Sequence, residues 1–433
     1  MKNTNILVTE FDVNGSKVIL TDFMPCSSSR DAWAAPPEIH RMLNCVEGHA
    51  KFLIDLNPRF DYGRVEPEVK LDGANAVFKG PRDEMVLAST LRLKRTKSGK
   101  VRQEFEMWSG DREEFVLSYG EAYPRQVEAY NSTEQLRRTE LFWRSWVKRL
   151  KYHGRWRSEV IRSALTLKLL VYGPTGAIVA APTTSLPESY VRDGNWDYRY
   201  SWIRDSAHSL WAFHLLGDTS EAARYLRWLI ETDPALDLNL RLMYNIQGQP
   251  VVEEQKLSHL EGYRGRRPVR VGNAAAHQFQ MDAYGYLLDA LFFSTKKEVS
   301  VSGEMYYRFV KPLAGFIVDH WQEPGNGIWE LRGKKQHYVE TKAWCYAGLE
   351  RAVSIARISG HKRDVSTWKE TMKAIKREIL SKGWSQRKRA FRMRYGSDDL
   401  DSANLMMPLI GFLRPRDPRV VSTVDAITKE LAQ

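Results

Sequence analysis

The sequence predicts an α+β multidomain chain in which an antiparallel β-sandwich precedes a long helical region. Three observations carry that prediction. Residues 1 to about 128 hold short runs of β-forming residues between Gly-containing turns, the pattern changes to helical at Ser132, and about nine helical segments follow from Trp156. At 433 residues the chain is too long for one ordinary core, so two domains are expected.

In the first part, Lys17-Val18-Ile19-Leu20-Thr21-Asp22-Phe23 and Lys51-Phe52-Leu53-Ile54-Asp55-Leu56 cluster or alternate β-formers. Asn14-Gly15, Asp72-Gly73 and Ser98-Gly99 have the chemistry of hairpin turns. Strands at this spacing point to a β-sandwich. Ser132-Thr133-Glu134-Gln135 is a helix-start signal for a basic, aromatic helix that runs to about Tyr152 and joins the two domains. Helices are then expected near residues 156–172, 205–216, 219–231, 274–293, 303–321, 338–358, 364–381, 400–412 and 418–431. Ala276, Phe279, Ala283, Leu287 and Leu291 would form one face of the fourth, and Cys345, Leu349, Ala352 and Ala356 one face of the sixth. Gly217 ends the second, and Asp218 with Glu221 resembles a capping box for the third. The domain plan is therefore 1–128 as sandwich, 129–153 as linker helix and 154–433 as helical domain.

Composition narrows the function classes. Hydrophobic content of 43% and charged content of 27% are those of a soluble globular protein. No apolar run approaches the roughly 18–20 residues that span a bilayer, and the N-terminus lacks the apolar core of a signal peptide. Cys26, Cys45 and Cys345 have neither disulfide-framework nor zinc spacing, which points to reduced thiols in a cytoplasmic protein. The net charge of +12 is spread over Arg92–Arg102, Lys148–Arg157, Arg264–Arg270 and Arg387–Arg394, with no nucleic-acid module beside it. Neither nucleic acid nor membrane is an expected partner. No His or Cys pair has metal spacing and no G-x-S-x-G or P-loop is present, so no metal or cofactor is expected.

Three loops carry the unusual chemistry, as long loops inside a helical array usually do. Asn195-Trp196-Asp197-Tyr198-Arg199-Tyr200-Ser201-Trp202-Ile203-Arg204-Asp205-Ser206 mixes aromatics with paired charges just before a helix. A sugar pocket needs that mixture, flat faces for ring C–H groups and charged side chains for hydroxyls. Asp205 alone could be an ordinary first-turn acid favoured by the helix dipole. Beside Trp196, Tyr198 and Trp202, an Arg204–Asp205 pair can instead hold a sugar ring in one orientation. In Gly325-Asn326-Gly327-Ile328-Trp329-Glu330-Leu331-Arg332, Glu330 is either a surface acid paired with Arg332 or a proton donor. A carboxyl pressed against an indole is desolvated, which favours the protonated form that glycosidic cleavage requires. The loop His259–Asn273, with Arg267 and Asn273, is either a solvated surface loop or a pocket wall whose donors meet hydroxyls.

Together with Thr21-Asp22-Phe23-Met24-Pro25, Pro58–Arg64, Thr183-Thr184-Ser185-Leu186-Pro187-Glu188 and Leu409-Ile410-Gly411-Phe412-Leu413, these segments resemble, in order, glycoside hydrolase family 15, which holds glucoamylases, glucodextranases and microbial trehalases. The resemblance implies a β-sandwich, a linker helix and an (α/α)6 barrel, here incomplete, and inverting hydrolysis of a terminal α-linked glucose. By position, Glu330 would be the general acid. Arg204 and Asp205 would hold the glucose, Trp329 would stack on it, Tyr198 would lie near the attacking water, and Trp202, Arg267 and Asn273 would line the site. Inversion needs a second carboxylate roughly 6.5–9.5 Å from the first. The family takes that base from a Glu-rich segment well beyond the Gly-Phe-Leu motif, and here about twenty residues follow Leu413. The barrel is thus expected to lack its last helices and the sandwich its first strands. A second polypeptide would complete the barrel, or the chain would be an inactive sugar-binding or interaction protein. The expected substrate is an α-glucan oligosaccharide, as in glucoamylases, with the disaccharide trehalose as the alternative.

Overall fold

Nine antiparallel strands build the first part of the chain: β1 (Leu7–Val13), β2 (Ser16–Phe23), β3 (Glu38–Glu47), β4 (His49–Leu56), β5 (Glu68–Asp72), β6 (Asn75–Lys79), β7 (Glu84–Ser89), β8 (Val101–Trp108) and β9 (Arg112–Tyr119). The computed structural model describes residues 1–26, 36–120, 124–184, 186–189, 194–232, 240–295, 306–361, 363 and 365–432. They fall into two units, Met1–Leu169 and Leu170–Gln433. Of the segments read from sequence, Ser185 and residues 303–305 and 364 lie outside the described residues.

Seven strands form one sheet in the order β1-β2-β3-β9-β7-β6-β5, and β4 pairs with β8 as a two-stranded ribbon. The Asn14-Gly15 turn closes β1 onto β2 with both residues left-handed, which Asn and Gly tolerate at low cost. Ala50, Phe52, Ile54 and Leu56 alternate along β4 and face inward with Phe105 and Met107 of β8. This ribbon face packs on Val18, Leu43 and Cys45 at one end and on Phe78, Leu87 and Phe115 at the other. Phe52 stacks on Phe105 at 5.3 Å between ring centres. Among the described residues the second layer of the expected sandwich is this two-stranded ribbon.

Helix α1 (Ser132–Arg149) starts where its sequence signal lies, but Asn131 is the cap, its side chain accepting from the Glu134 amide. The helix is tied to the sheet by buried His40, which bonds Ser132 Oγ at 2.9 Å and Glu38 Oε2 at 3.0 Å. Helix α2 (Arg157–Leu169) closes this unit, so the division falls after α2.

The second unit is helical, with α3 (Ile203–Leu215), α4 (Ser220–Thr232), α5 (Asp282–Thr295), α6 (Lys311–His320), α7 (Val339–Ile358), α8 (Val365–Lys382), the short α9 (Met406–Leu409) and α10 (Pro418–Leu431). Helix α7 is buried along most of its length. It approaches α5 where Gly285 and Gly348 meet, and a Cβ on Gly285 would lie 2.3 Å from the Trp344 carbonyl oxygen. Next to that contact Tyr286 stacks on Trp344 with ring centres 3.8 Å apart.

Two helix boundaries differ from the sequence expectation. The helix expected from residue 274 begins at Asp282, after a single 3-10 turn at Ala274–His277. The intervening backbone pairs sideways: Phe279 donates to Asn326 Oδ1 at 3.2 Å and accepts from the Asn326 amide at 2.9 Å, leaving it no helical partners. The helix expected over 400–412 is a 3-10 turn at Ser402–Leu405 and the four residues of α9. Among the described residues no helix is long and apolar enough to cross a membrane.

The Gly285–Gly348 contact sets a packing prediction. Gly285→Ala forces α5 and α7 apart and should lower unfolding free energy by about 1–3 kcal/mol in chemical denaturation. Wild-type stability in that variant would mean the helices do not depend on this approach.

Candidate active site

The aromatic segment reaches α3 through β10 (Ser201–Trp202), which pairs with β11 (Met243–Tyr244), while β12 (Gln255–Leu257) and β13 (Val269–Val271) frame the Arg-rich loop. Asp197, fully buried, laces the two together. Its carboxylate accepts from Arg199 Nε and NH2, each at 2.9 Å, and from the Gly272 amide at 3.0 Å. Its carbonyl oxygen accepts from Asn273 Nδ2 at 3.3 Å. Asn195 donates to the Arg266 carbonyl, which lies where a Cβ on Gly262 would sit. Nearby, the guanidiniums of Arg270 and Arg332 lie 4.3 and 4.5 Å from the Trp196 ring centre and share Glu254. Arg332 is thus paired with Glu254.

Glu330 sits in the middle of a tight loop closed between Gly325 and Gln336. Gly325 and Gln336 exchange backbone hydrogen bonds of 2.9 and 2.7 Å, and Gly327 packs so closely on Tyr338 that a Cβ would stand 2.6 Å from the ring. Glu330 itself has φ 53°, a left-handed conformation uncommon for Glu. Its Oε1 accepts three hydrogen bonds, from Trp202 Nε1 at 3.0 Å, Arg204 NH2 at 2.9 Å and Gln280 Nε2 at 3.3 Å. The indole it meets is therefore that of Trp202, edge-on through its N–H, and not the face of neighbouring Trp329.

Trp202, Arg204 and Glu330, each singled out in the sequence, meet at one point. Tyr198 lies beside them, its ring 5.7 Å from Trp202 and its hydroxyl donating to Glu188 Oε2 at 2.6 Å. Asp205 is half-exposed, with Oδ2 3.7 Å from Arg204 Nε. Trp329 is also half-exposed, and its Nε1 donates to Asp401 Oδ2 at 2.9 Å. Two predicted residues stand apart from this group. Arg267 is exposed at the loop surface. Asn273 is buried with its amide committed, donating to the Asp197 carbonyl and accepting from the Ala275 amide at 2.9 Å as the cap of the 3-10 turn.

Several participants escaped sequence reasoning. Gln278 and Gln280 precede α5 and Asp282 opens it, at alternate positions, and in extended chain alternate residues share a side. That alternation was the available signal. Behind Arg204, Asp282 Oδ2 lies 3.6 Å from NH1. Glu340 Oε1 accepts from the Tyr286 hydroxyl at 3.0 Å, and both carboxyls are buried. His208 meets Tyr286 edge-on at 4.9 Å.

Burial alone would pull the Arg204 guanidinium down, but Asp205, Asp282 and Glu330 outweigh it and hold it above its ordinary range. Burial raises the Asp282 carboxyl against the pull of Arg204. Burial, reinforced by the charge of Asp282, pushes Glu340 well above its ordinary 4.5. Tyr198 is raised by burial and by its bond to Glu188, and so stays a hydrogen-bond donor at neutral pH. One guanidinium thus faces a half-exposed acid, an acid bonded to an indole and a closed-off acid, an arrangement suited to gripping hydroxyls beside a proton donor.

The family model for glycosyl hydrolases family 15 matches residues 154–433. The chain belongs to glycoside hydrolase family 15. Trehalase of Thermoplasma volcanium is 34% identical to this family 15 chain over 429 residues, covering 99% of the chain and 68% of the relative. Trehalase of Mycobacterium tuberculosis is 35% identical over 412 residues, covering 93% of the chain and 60% of the relative. A bacterial glucoamylase crystallised with acarbose shares the fold, with a TM-score of 0.72 at 15% identity, over 99% of the chain and 68% of that structure. The family 15 chain thus combines an N-terminal antiparallel sheet with a helical C-terminal region in a glucoamylase-like fold.

The buried acid behind the site predicts a pH signature. A carboxyl whose folded value lies above its unfolded one stabilises the fold below pH 4.5 and loses that contribution as pH rises through the folded value. Glu340→Gln removes the ionisation, so its Tm relative to wild type should climb as pH increases above 4.5. A difference that stays flat across pH would show that Glu340 ionises in the fold without cost.

Proposed function

We propose that this family 15 chain carries the glucose-holding and proton-donating groups of a trehalose-hydrolysing, inverting site. The observation that carries the reading is the 34–35% identity to trehalases across nearly the whole chain, which favours trehalose over the α-glucan oligosaccharide expected from sequence.

In this reading Arg204 and Asp205 grip hydroxyls of the terminal glucose, and the half-exposed face of Trp329 stacks on its ring. Glu330 protonates the glycosidic oxygen as the bond to the anomeric carbon breaks, while water bonds to that carbon from the opposite face and passes its proton to the second carboxylate that inversion requires. The three donors on Oε1 fix which oxygen acts: Oε1 is occupied by Trp202, Arg204 and Gln280, so the transferred proton sits on Oε2. Asp282 and Glu340 are closed off behind Arg204, and Asp401 is tied to Trp329, so these acids shape the site and do not meet the sugar.

The test is to incubate the protein with trehalose, maltose and isomaltose and follow product anomers by proton NMR. Trehalose should be cleaved in preference, and inversion should yield equal α- and β-glucose at early times. Glu330→Gln should lower the rate by roughly 10²–10⁴-fold, since an amide supplies no acidic proton. Cleavage of maltose with trehalose untouched would return the reading to a glucoamylase, and binding of neither sugar would sink it.

A further inference from the structure

Two glutamines that the reaction does not name touch Glu330 from both ends. Gln278 Nε2 donates to the Glu330 carbonyl oxygen at 3.0 Å. Gln280, 2% exposed, donates from Nε2 to Glu330 Oε1 at 3.3 Å and to Gln278 Oε1 at 3.0 Å, while its own Oε1 accepts from Arg204 NH1 at 2.6 Å. The amide orientation follows from its neighbours: a cation on one side needs an acceptor and a carboxylate on the other needs a donor. A carboxylate at position 280 would lack the donor, and an aliphatic chain would lack both. The sideways pairing of Phe279 with Asn326 keeps this stretch extended, so Gln278 and Gln280 point the same way, toward the Glu330 loop.

We propose that Gln278 and Gln280 are positioning residues for Glu330, Gln278 holding its left-handed main chain and Gln280 holding its carboxyl and the Arg204 guanidinium at a fixed spacing. Neither meets the sugar. Glu330 has φ 53°, and with its carbonyl released it can relax toward an ordinary conformation that swings the carboxyl away from Trp202. The role in catalysis rests on Glu330 being the proton donor, but the clamp itself does not.

The experiment uses the full chain labelled at the indole nitrogens of tryptophan, because Trp202 Nε1 donates to the same oxygen that Gln280 holds. The Trp202 resonance is assigned by its loss in Trp202→Phe. In Gln280→Met, Gln280→Glu and Gln278→Met it should move upfield as the bond to Glu330 loosens, with the other indole resonances in place. Gln278→Met keeps the test alive if a change at buried Gln280 prevents folding. A Trp202 resonance at the wild-type position in the folded variants overturns the proposal. On trehalose, the same variants should lose roughly a hundredfold in kcat with KM little changed, as expected for a misplaced catalytic group. A loss confined to KM would assign the amides to sugar binding and also overturn it. A wild-type chain that leaves trehalose intact while the Trp202 resonance shifts in the variants counts against the proposed function and leaves the clamp standing.

Discussion

Arg204 is the group on which the site depends. A guanidinium removed from water is tolerated only where opposite charge and hydrogen-bond acceptors surround it, and this one has Glu330, Asp282, Asp205 and the Gln280 carbonyl within reach. Those partners come from the loop before α7, from the approach to α5 and from the start of α3. The charge therefore draws three separate stretches of chain to one point. Helix α3 delivers Arg204 rigidly because β10 pairs with β11 immediately before it, so the guanidinium is placed by secondary structure and not by a loop.

The framework around it divides polar labour in two. Asp197, Asn195, Asn273 and the Trp196–Arg270–Arg332–Glu254 group are consumed in fastening loops to each other. Asp205 and Trp329 stay open toward solvent, and Glu330 is partly buried beside them. The close approach of α5 to α7 at Gly285 and Gly348 underlies this division. It sets Asp282 and Glu340, one on each helix, in a closed layer behind Arg204.

Much of this was legible in the sequence. The aromatic and charged segment before α3 and the Gly-Ile-Trp-Glu loop stand out by composition, and the structure brings Trp202, Arg204 and Glu330 into hydrogen-bond contact. Helices with a sustained apolar face, such as α7 and α10, fall where periodicity places them. The start of α5 did not, because what ends the helix there is a pairing of Phe279 with Asn326, residues distant in sequence. The roles of Gln278 and Gln280 were hidden for the same reason: an amide becomes a bridge only once a cation and an anion have been folded to either side of it. Asn273 shows the opposite limit. Its residue type suits a sugar donor, but its place at the head of a 3-10 turn commits both ends of the amide to the backbone.

The bonds that define the site also say when it can exist. Trp202 and Glu330 are 128 residues apart in the chain, Arg204 and Glu330 are 126 apart, and Trp329 and Asp401 are 72 apart. Contacts of such high sequence separation carry the entropy cost of closing long loops. A chain in which the Glu330 loop or the segment around Asp401 is out of place lacks one or more of these bonds, and the site is then incomplete. The site is thus a property of the folded helical unit as a whole, because it draws on residues from Trp202 to Asp401 and on no single helix or loop.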